Sequence, residues 1–237
     1  MHLFYICVDD EKPTLLSNSG LPSTIYGVDM RDVQPYQLSP DSLSLAARVS
    51  LSRGRDKHED IPSMGAIGCA LSHYQCWMHI VRSKMEYAYI FESDAQMVPS
   101  VSLSDVERYV AQQFKLGYQY ISLGYQKQAA LVPRRVDPDN LHTFIQTHAQ
   151  VVTYEGAHVL LRHFFPIEMQ VDGYIGGLTK ARMLKSCGAQ MFTQAHATKS
   201  TTHKLIDVLN FKTHCPRSVA DWAIVLVALI IVHVTVA

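Results

Sequence analysis

Residues 65–84 read GAIGCALSHYQCWMHIVRSK, and residues 87–91, YAYIF, follow almost at once. In the first stretch Ile67, Ala70, Leu71, Tyr74, Trp77, Met78 and Val81 fall at helical spacing and form a wide apolar stripe. The second stretch is continuously apolar or aromatic, as a buried strand requires. A helix with one apolar face running straight into a buried strand must fold back on that strand, which is the repeating unit of an α/β sheet.

The same alternation recurs along the chain. Leu3 to Val8 reads as a buried strand, and Ile25 to Val28 as a second. A short helix is expected around Ser42 to Leu51. SLSDVERYVAQQFKLG, from Ser102, reads as a helix with Ser102 or Ser104 as N-cap, acids in the first turn and Gly117 as the stop. YQYISL and QVVTY read as strands, and EGAHVLLRHFFP as a helix up to Pro166. IEMQVDGYIGG is expected to be a short strand or turn, and ARMLKSCG a short helix or its remnant. The fold class is therefore α/β, with a mostly parallel central sheet flanked by helices. In such sheets ligands bind beyond the carboxyl ends of the strands.

Bulk composition excludes several classes. The chain has 237 residues, 48% hydrophobic and 18% charged, enough to bury a full core and unlike a disordered chain. Lys plus Arg and Asp plus Glu both count 21, so no basic excess points to nucleic acid. Cys69 and Cys76 share the long helix about 10 Å apart, too far for a disulfide. With Cys7, Cys187 and Cys215 the count is odd and no CxxC occurs, which reads as free thiols in a reducing compartment. MHLFYICVDD reads as a first strand rather than a signal peptide. These features imply a cytoplasmic protein. The segment 222–237, WAIVLVALIIVHVTVA, has no formal charge and 16 residues, slightly below the ~17–25 of a spanning helix. A short tail anchor, a membrane-dipping segment and a buried terminal element all remain open for it. His233 and Thr235 count against deep insertion.

The strand at 87–91 ends in Glu92, Ser93 and Asp94. Residues i and i+2 of an extended chain project to one side, so the two carboxylates would face one point. Their repulsion is relieved by a cation, and Mg²⁺ or Mn²⁺ takes oxygen ligands completed by phosphates and water. The competing reading is a strand that simply exits into water.

GAIGCALSH, the strand that follows and the acids after it resemble the pattern of glycosyltransferase family 25, which includes bacterial lipooligosaccharide galactosyltransferases and collagen galactosyltransferases. FYICVDD, IYGVDM, YISLG and the region from Thr147 to Gly176 resemble further parts of it, so the likeness spans roughly residues 1 to 215. Ser93 stands where the family has the middle acid of its triplet, and Gln150 where it has a tyrosine. The resemblance implies a GT-A-like nucleotide-sugar-binding fold over 1–216, with a nucleotide-sugar half at 1–130 and an acceptor half at 131–216. The segment 217–237 forms an apolar tail with no family counterpart.

It further implies an inverting, metal-dependent hexosyltransferase that uses a UDP-sugar, galactose favoured, and Mn²⁺ or Mg²⁺. The acceptor would be a glycan, glycolipid or protein hydroxyl. Asp94 is the expected direct metal ligand. Glu92 would bind the metal through water or contact the donor. Gly65, Gly68 and His73 would line the donor site, with the glycines just ahead of the helix. Asp172 is the candidate general base. Arg48, Arg53 and Arg55 read as a solvated basic patch rather than diphosphate contacts, and His196 and His203 as minor candidates for a late metal ligand. The alternative is a degenerate, non-catalytic relative that binds sugar or a partner, motivated by Ser93 and Gln150.

Overall fold

The computed structural model describes residues 2–8, 22–54, 59–124 and 146–194, all within one compact unit. Arg55, His196, His203, Cys215 and the segment 217–237 lie outside the described residues.

The described chain runs β1 (Leu3–Ile6), β2 (Ser23–Tyr26), α1 (Leu45–Arg53), α2 (Met64–Arg82), β3 (Tyr87–Glu92), β4 (Ala95–Met97), α3 (Leu103–Lys115), β5 (Tyr120–Ser122), β6 (Ala149–Thr153), α4 (Tyr154–Arg162), α5 (Val171–Lys180), β7 (Ser186–Gly188) and β8 (Phe192–Gln194). Six strands form the central sheet in the order β2-β1-β3-β6-β5-β7. β1 pairs in parallel with β2 and β3, and β5 with β7, while β6 runs antiparallel to both β3 and β5. Only β6 therefore opposes the common direction, and the sheet is mostly parallel as expected. Because β6 sits between β3 and β5, the two halves read from the sequence share one sheet.

Alternation along the strands divides the core into two layers. Phe4, Ile6, Ala88, Ile90, Tyr120 and Val152 face a layer shared with α1, α2, α4 and α5. Leu3, Tyr5, Tyr89, Phe91, Ile121 and Val151 face the other, closed by Val106 and Val110 of α3 and by Ala95 and Phe192 of the small β4–β8 ribbon. α3 begins at Ser102, whose hydroxyl accepts from Asp105 N while Asp105 reaches back to Ser102 N, a capping box. Past its C-terminus Gly117 takes φ +75°, the left-handed conformation that suits glycine.

Three expectations are corrected. IEMQVDGYIGG yields α5, because Val171, Ile175 and Leu178 recur at helical spacing and are buried, and this outweighs the poor helix propensity of its glycines. ARMLKSCG ends not in a helix but in β7, where pairing with β5 in the register Ile121↔Cys187 satisfies its backbone. Gly65 and Gly68 do not precede α2; they lie inside its first turns, since Ser63 is the N-cap and accepts from Ala66 N.

Candidate active site

β3 is buried from Ala88 to Phe91 and emerges at Glu92. The extended chain stops there. Ser93 and Asp94 form a turn before β4 begins at Ala95, so the i, i+2 alternation does not run through the two acids. They are nonetheless coupled: the charge of Glu92 is felt by Asp94.

Glu92 is held from several sides. Its Oε1 accepts from the Thr147 hydroxyl at 2.6 Å and from His73 Nε2 at 3.0 Å, and its backbone N–H donates to His148 O at 2.8 Å. Burial alone would raise its pKa. The hydrogen bond from His73 is the largest opposing cause, joined by the Thr147 bond and the electrostatic influence of the two histidines, and together they hold the carboxyl below the usual glutamate range. A group depressed in the fold stabilises above its unfolded pKa of about 4.3 and loses that contribution as pH falls through the folded value. Thr147→Val removes one hydrogen bond to this charge and should cost about 1.5–3 kcal/mol at neutral pH. It should also raise the folded pKa, moving acid unfolding of the variant to higher pH; urea titrations between neutral and acid pH measure both effects.

His73 is sealed, with 0% exposure. Gln150 Nε2 donates to His73 Nδ1 at 2.9 Å and to Thr147 O at 3.2 Å, which leaves Nε2–H of a neutral imidazole to donate to Glu92. The glutamine that departs from the family pattern thus fixes the tautomer of His73. His73 acts on Glu92 rather than on open solvent. Its neighbour Ser72 is a clamp: the hydroxyl accepts from Val28 N at 2.9 Å and donates to Gly68 O at 2.8 Å, binding the chain after β2 to the helix.

That clamp explains Gly68. A Cβ there would stand 2.3 Å from Val28 O, a backbone atom. Alanine gains about 1 kcal/mol in helix propensity, but overpacking against backbone costs typically 1–3 kcal/mol. The clash dominates, because Val28 is itself held by Ser72. Gly68→Ala should lower stability by about 1–2 kcal/mol, read by thermal melting, with UDP affinity measured alongside to separate packing from donor contact. Gly65 is half-buried, while Ile61 to Met64 at the start of α2 are buried.

Cys69, one turn before His73 on α2, was not singled out by sequence reasoning, although its i, i+4 spacing to His73 was visible. Its Sγ, a His73 ring nitrogen and a Glu92 oxygen all lie within 4.8 Å of one another, a triad able to hold a metal. Burial pushes the thiol pKa well up, and the charges of Glu92, Asp172 and Asp94 push it further. Of these acids, Glu92 is the one whose carboxylate groups with the thiol and His73. Asp172 lies in the first turn of α5, is 7% exposed, and its Oδ1 accepts from Gly173 N at 2.7 Å.

Asp94 Oδ2 accepts from Gln194 Nε2 of β8 at 2.6 Å, whereas Oδ1 is buried without a hydrogen-bond partner. Burial raises the Asp94 pKa, the charge of Glu92 adds to this, and the Gln194 bond and His148 oppose it. Such a carboxylate oxygen fits a hard cation, which seeks oxygen ligands. The thiol and imidazole of the triad instead suit a softer ion such as Zn²⁺. Arg48 is spent on the surface: its guanidinium donates to Pro35 O at 3.2 Å and Ser39 O at 2.9 Å.

The mostly parallel sheet thus carries Glu92 and Asp94 at and just past the end of β3, with His73 of α2 bonded to Glu92. The family model of glycosyltransferase family 25, described as LPS biosynthesis protein, matches residues 44–184. The match covers more than half of the chain, which therefore belongs to that family and is a glycosyltransferase. No curated protein matches the sequence. Among solved structures, that titled Crystal Structure of A197 from STIV is similar at 11% identity and a TM-score of 0.44, covering 81% of this chain and 82% of that one. That likeness carries no argument about function. No helix among the described residues is long and apolar enough to cross a membrane.

Proposed function

We propose that the chain is a metal-dependent, inverting hexosyltransferase with a GT-A-like fold. It would take a UDP-sugar, galactose favoured, as donor and a glycan, glycolipid or protein hydroxyl as acceptor. The observation that carries this reading is the buried, unpartnered Oδ1 of Asp94 in the turn that follows Glu92 at the end of β3, inside the family's matched region. Residues 1–130 would supply most of the donor site and 131–216 most of the acceptor site.

Asp94 would hold the cation through its unpartnered Oδ1. A bound Mn²⁺ or Mg²⁺ supplies charge to neutralise the diphosphate as it leaves. Glu92, held by His73 and Thr147, keeps Oε2 free of protein partners among the described residues, which fits a water-mediated metal contact or a donor hydroxyl. His73 orients Glu92. Asp172 would accept the proton of the attacking hydroxyl. Gly65 would lie beside the donor, and Gly68 would serve it by letting α2 approach the chain after β2.

UDP release over a panel of UDP-hexoses, with acceptor, in Mn²⁺, Mg²⁺ or chelator, tests the reading. Release with one hexose that vanishes in chelator is the expected result. Release unaffected by chelator would remove the metal from the scheme, and no release from any UDP-sugar would remove the donor class.

A further inference from the structure

Cys69 and His73 stand one turn apart on α2, and Glu92 ends β3. A thiol sulfur, a ring nitrogen and a carboxylate oxygen of the three lie within 4.8 Å of one another, with His73 Nε2 3.0 Å from Glu92 Oε1. Around a tetrahedral Zn²⁺, bonds of about 2.0–2.3 Å place ligand atoms about 3.3–3.6 Å apart. The nitrogen and oxygen already stand near that spacing, and closing the sulfur onto the same point takes a shift of roughly 1 Å. His73 is sealed, whereas the Glu92 side chain is 19% exposed and Cys69 is half-buried. The group therefore has a solvent side, by which an ion reaches it and a water fills the fourth position.

Gln150 meets the remaining requirement. A metal-bound imidazole nitrogen carries no proton, and its other nitrogen donates N–H to a carbonyl or carboxylate. Gln150 is fully buried, with Nε2 facing His73 Nδ1 at 2.9 Å, and its Oε1 is buried with no hydrogen-bond partner among the described residues. A turn of the amide, which gives up the 3.2 Å bond to Thr147 O, brings Oε1 to Nδ1. Nδ1–H then donates to an oxygen that otherwise lacks a partner, and Nε2 is open to a metal.

We propose that Cys69, His73 and Glu92 form a Zn²⁺ site, separate from the hard-cation position of Asp94, and that filling it switches sugar transfer off. Thiolate with imidazole selects Zn²⁺ over Mg²⁺ and Mn²⁺. The thiol gives its proton to solvent as the Zn–S bond forms, and the imidazole only moves its own proton from Nε2 to Nδ1. Inhibition follows because Glu92 is shared: a carboxylate bound to Zn²⁺ no longer serves the donor or its metal. The switch rests on the transferase reading above; the site does not.

Co²⁺ is titrated into the full-length chain as a coloured stand-in for Zn²⁺, and UDP release in saturating Mn²⁺ is followed as Zn²⁺ is added. Wild type should show a thiolate-to-Co²⁺ charge-transfer band and tetrahedral d–d bands that saturate at one equivalent and vanish on adding Zn²⁺. One equivalent of Zn²⁺ should suppress most of its UDP release. Cys69→Ser should lose the band, bind Zn²⁺ roughly a hundredfold more weakly, and release UDP at the wild-type rate with or without one equivalent of Zn²⁺.

No charge-transfer band in wild type overturns the proposal without any variant. A band that survives in Cys69→Ser overturns it too, since the thiolate then belongs to another cysteine. Zn²⁺ that binds through Cys69 yet leaves UDP release unchanged overturns the switch, as does inhibition that persists undiminished in Cys69→Ser. Wild type that releases no UDP before Zn²⁺ is added removes the transferase reading and the switch with it, while the Co²⁺ spectrum still decides the site.

Discussion

Asp94→Asn is expected to lower sugar transfer by about 10³-fold and to leave the fold intact. The size follows from the several kcal/mol that a bound cation contributes to leaving-group charge, at about 1.4 kcal/mol per decade of rate. The substitution keeps the shape of the side chain, and its amide oxygen can still accept from Gln194 Nε2. What it removes is the charge. Asp94 is raised in pKa by burial and by Glu92, so its ionisation works against folding. A group raised in the fold stabilises below its unfolded pKa, about 3.9 for aspartate, and loses that contribution as pH rises through the folded value. The variant should therefore melt at or above the wild-type temperature at neutral pH, with a flatter stability profile above about pH 4. Loss of transfer with unchanged or raised stability marks a residue kept for function. Normal turnover in Asp94→Asn would take the cation away from this residue.

Legibility in the sequence followed the range of the forces involved. α2 and β3 could be read because their apolar periodicity is local and strong, and the acids after β3 stood out against that background. α5 could not, because its glycines argue for a turn until Val171, Ile175 and Leu178 are seen buried together. β7 pairs with a strand more than sixty residues earlier, in the register Tyr120↔Ser186, and nothing local announces that partner. The site divides in the same way. Glu92, Asp94, His73 and Asp172 carry chemistry in their residue types. Cys69, Thr147, His148 and Gln194 acquire a role only through contacts made by the folded chain. Gln150 shows the same limit: in sequence it is a missing tyrosine, and in the fold it is the donor that sets the tautomer of His73.

Asp172→Asn is the substitution that separates catalysis from architecture on the acceptor side. Oδ1 of Asp172 accepts from Gly173 N in the first turn of α5, and an asparagine oxygen can do the same. A carboxylate near a helix N-terminus also gains about 0.3–1 kcal/mol from the backbone dipoles, a small loss on neutralisation. If Asp172 only caps α5, the variant should keep its turnover and melt slightly lower. If it takes the proton of the acceptor hydroxyl, kcat should fall by about 10²–10⁴, the usual worth of a general base, with little change in donor KM. The charge of Asp172 already reaches Cys69 and Tyr120 on the layer that Glu92 faces. A variant that transfers sugar at the wild-type rate would return Asp172 to the helix and leave the proton to another base.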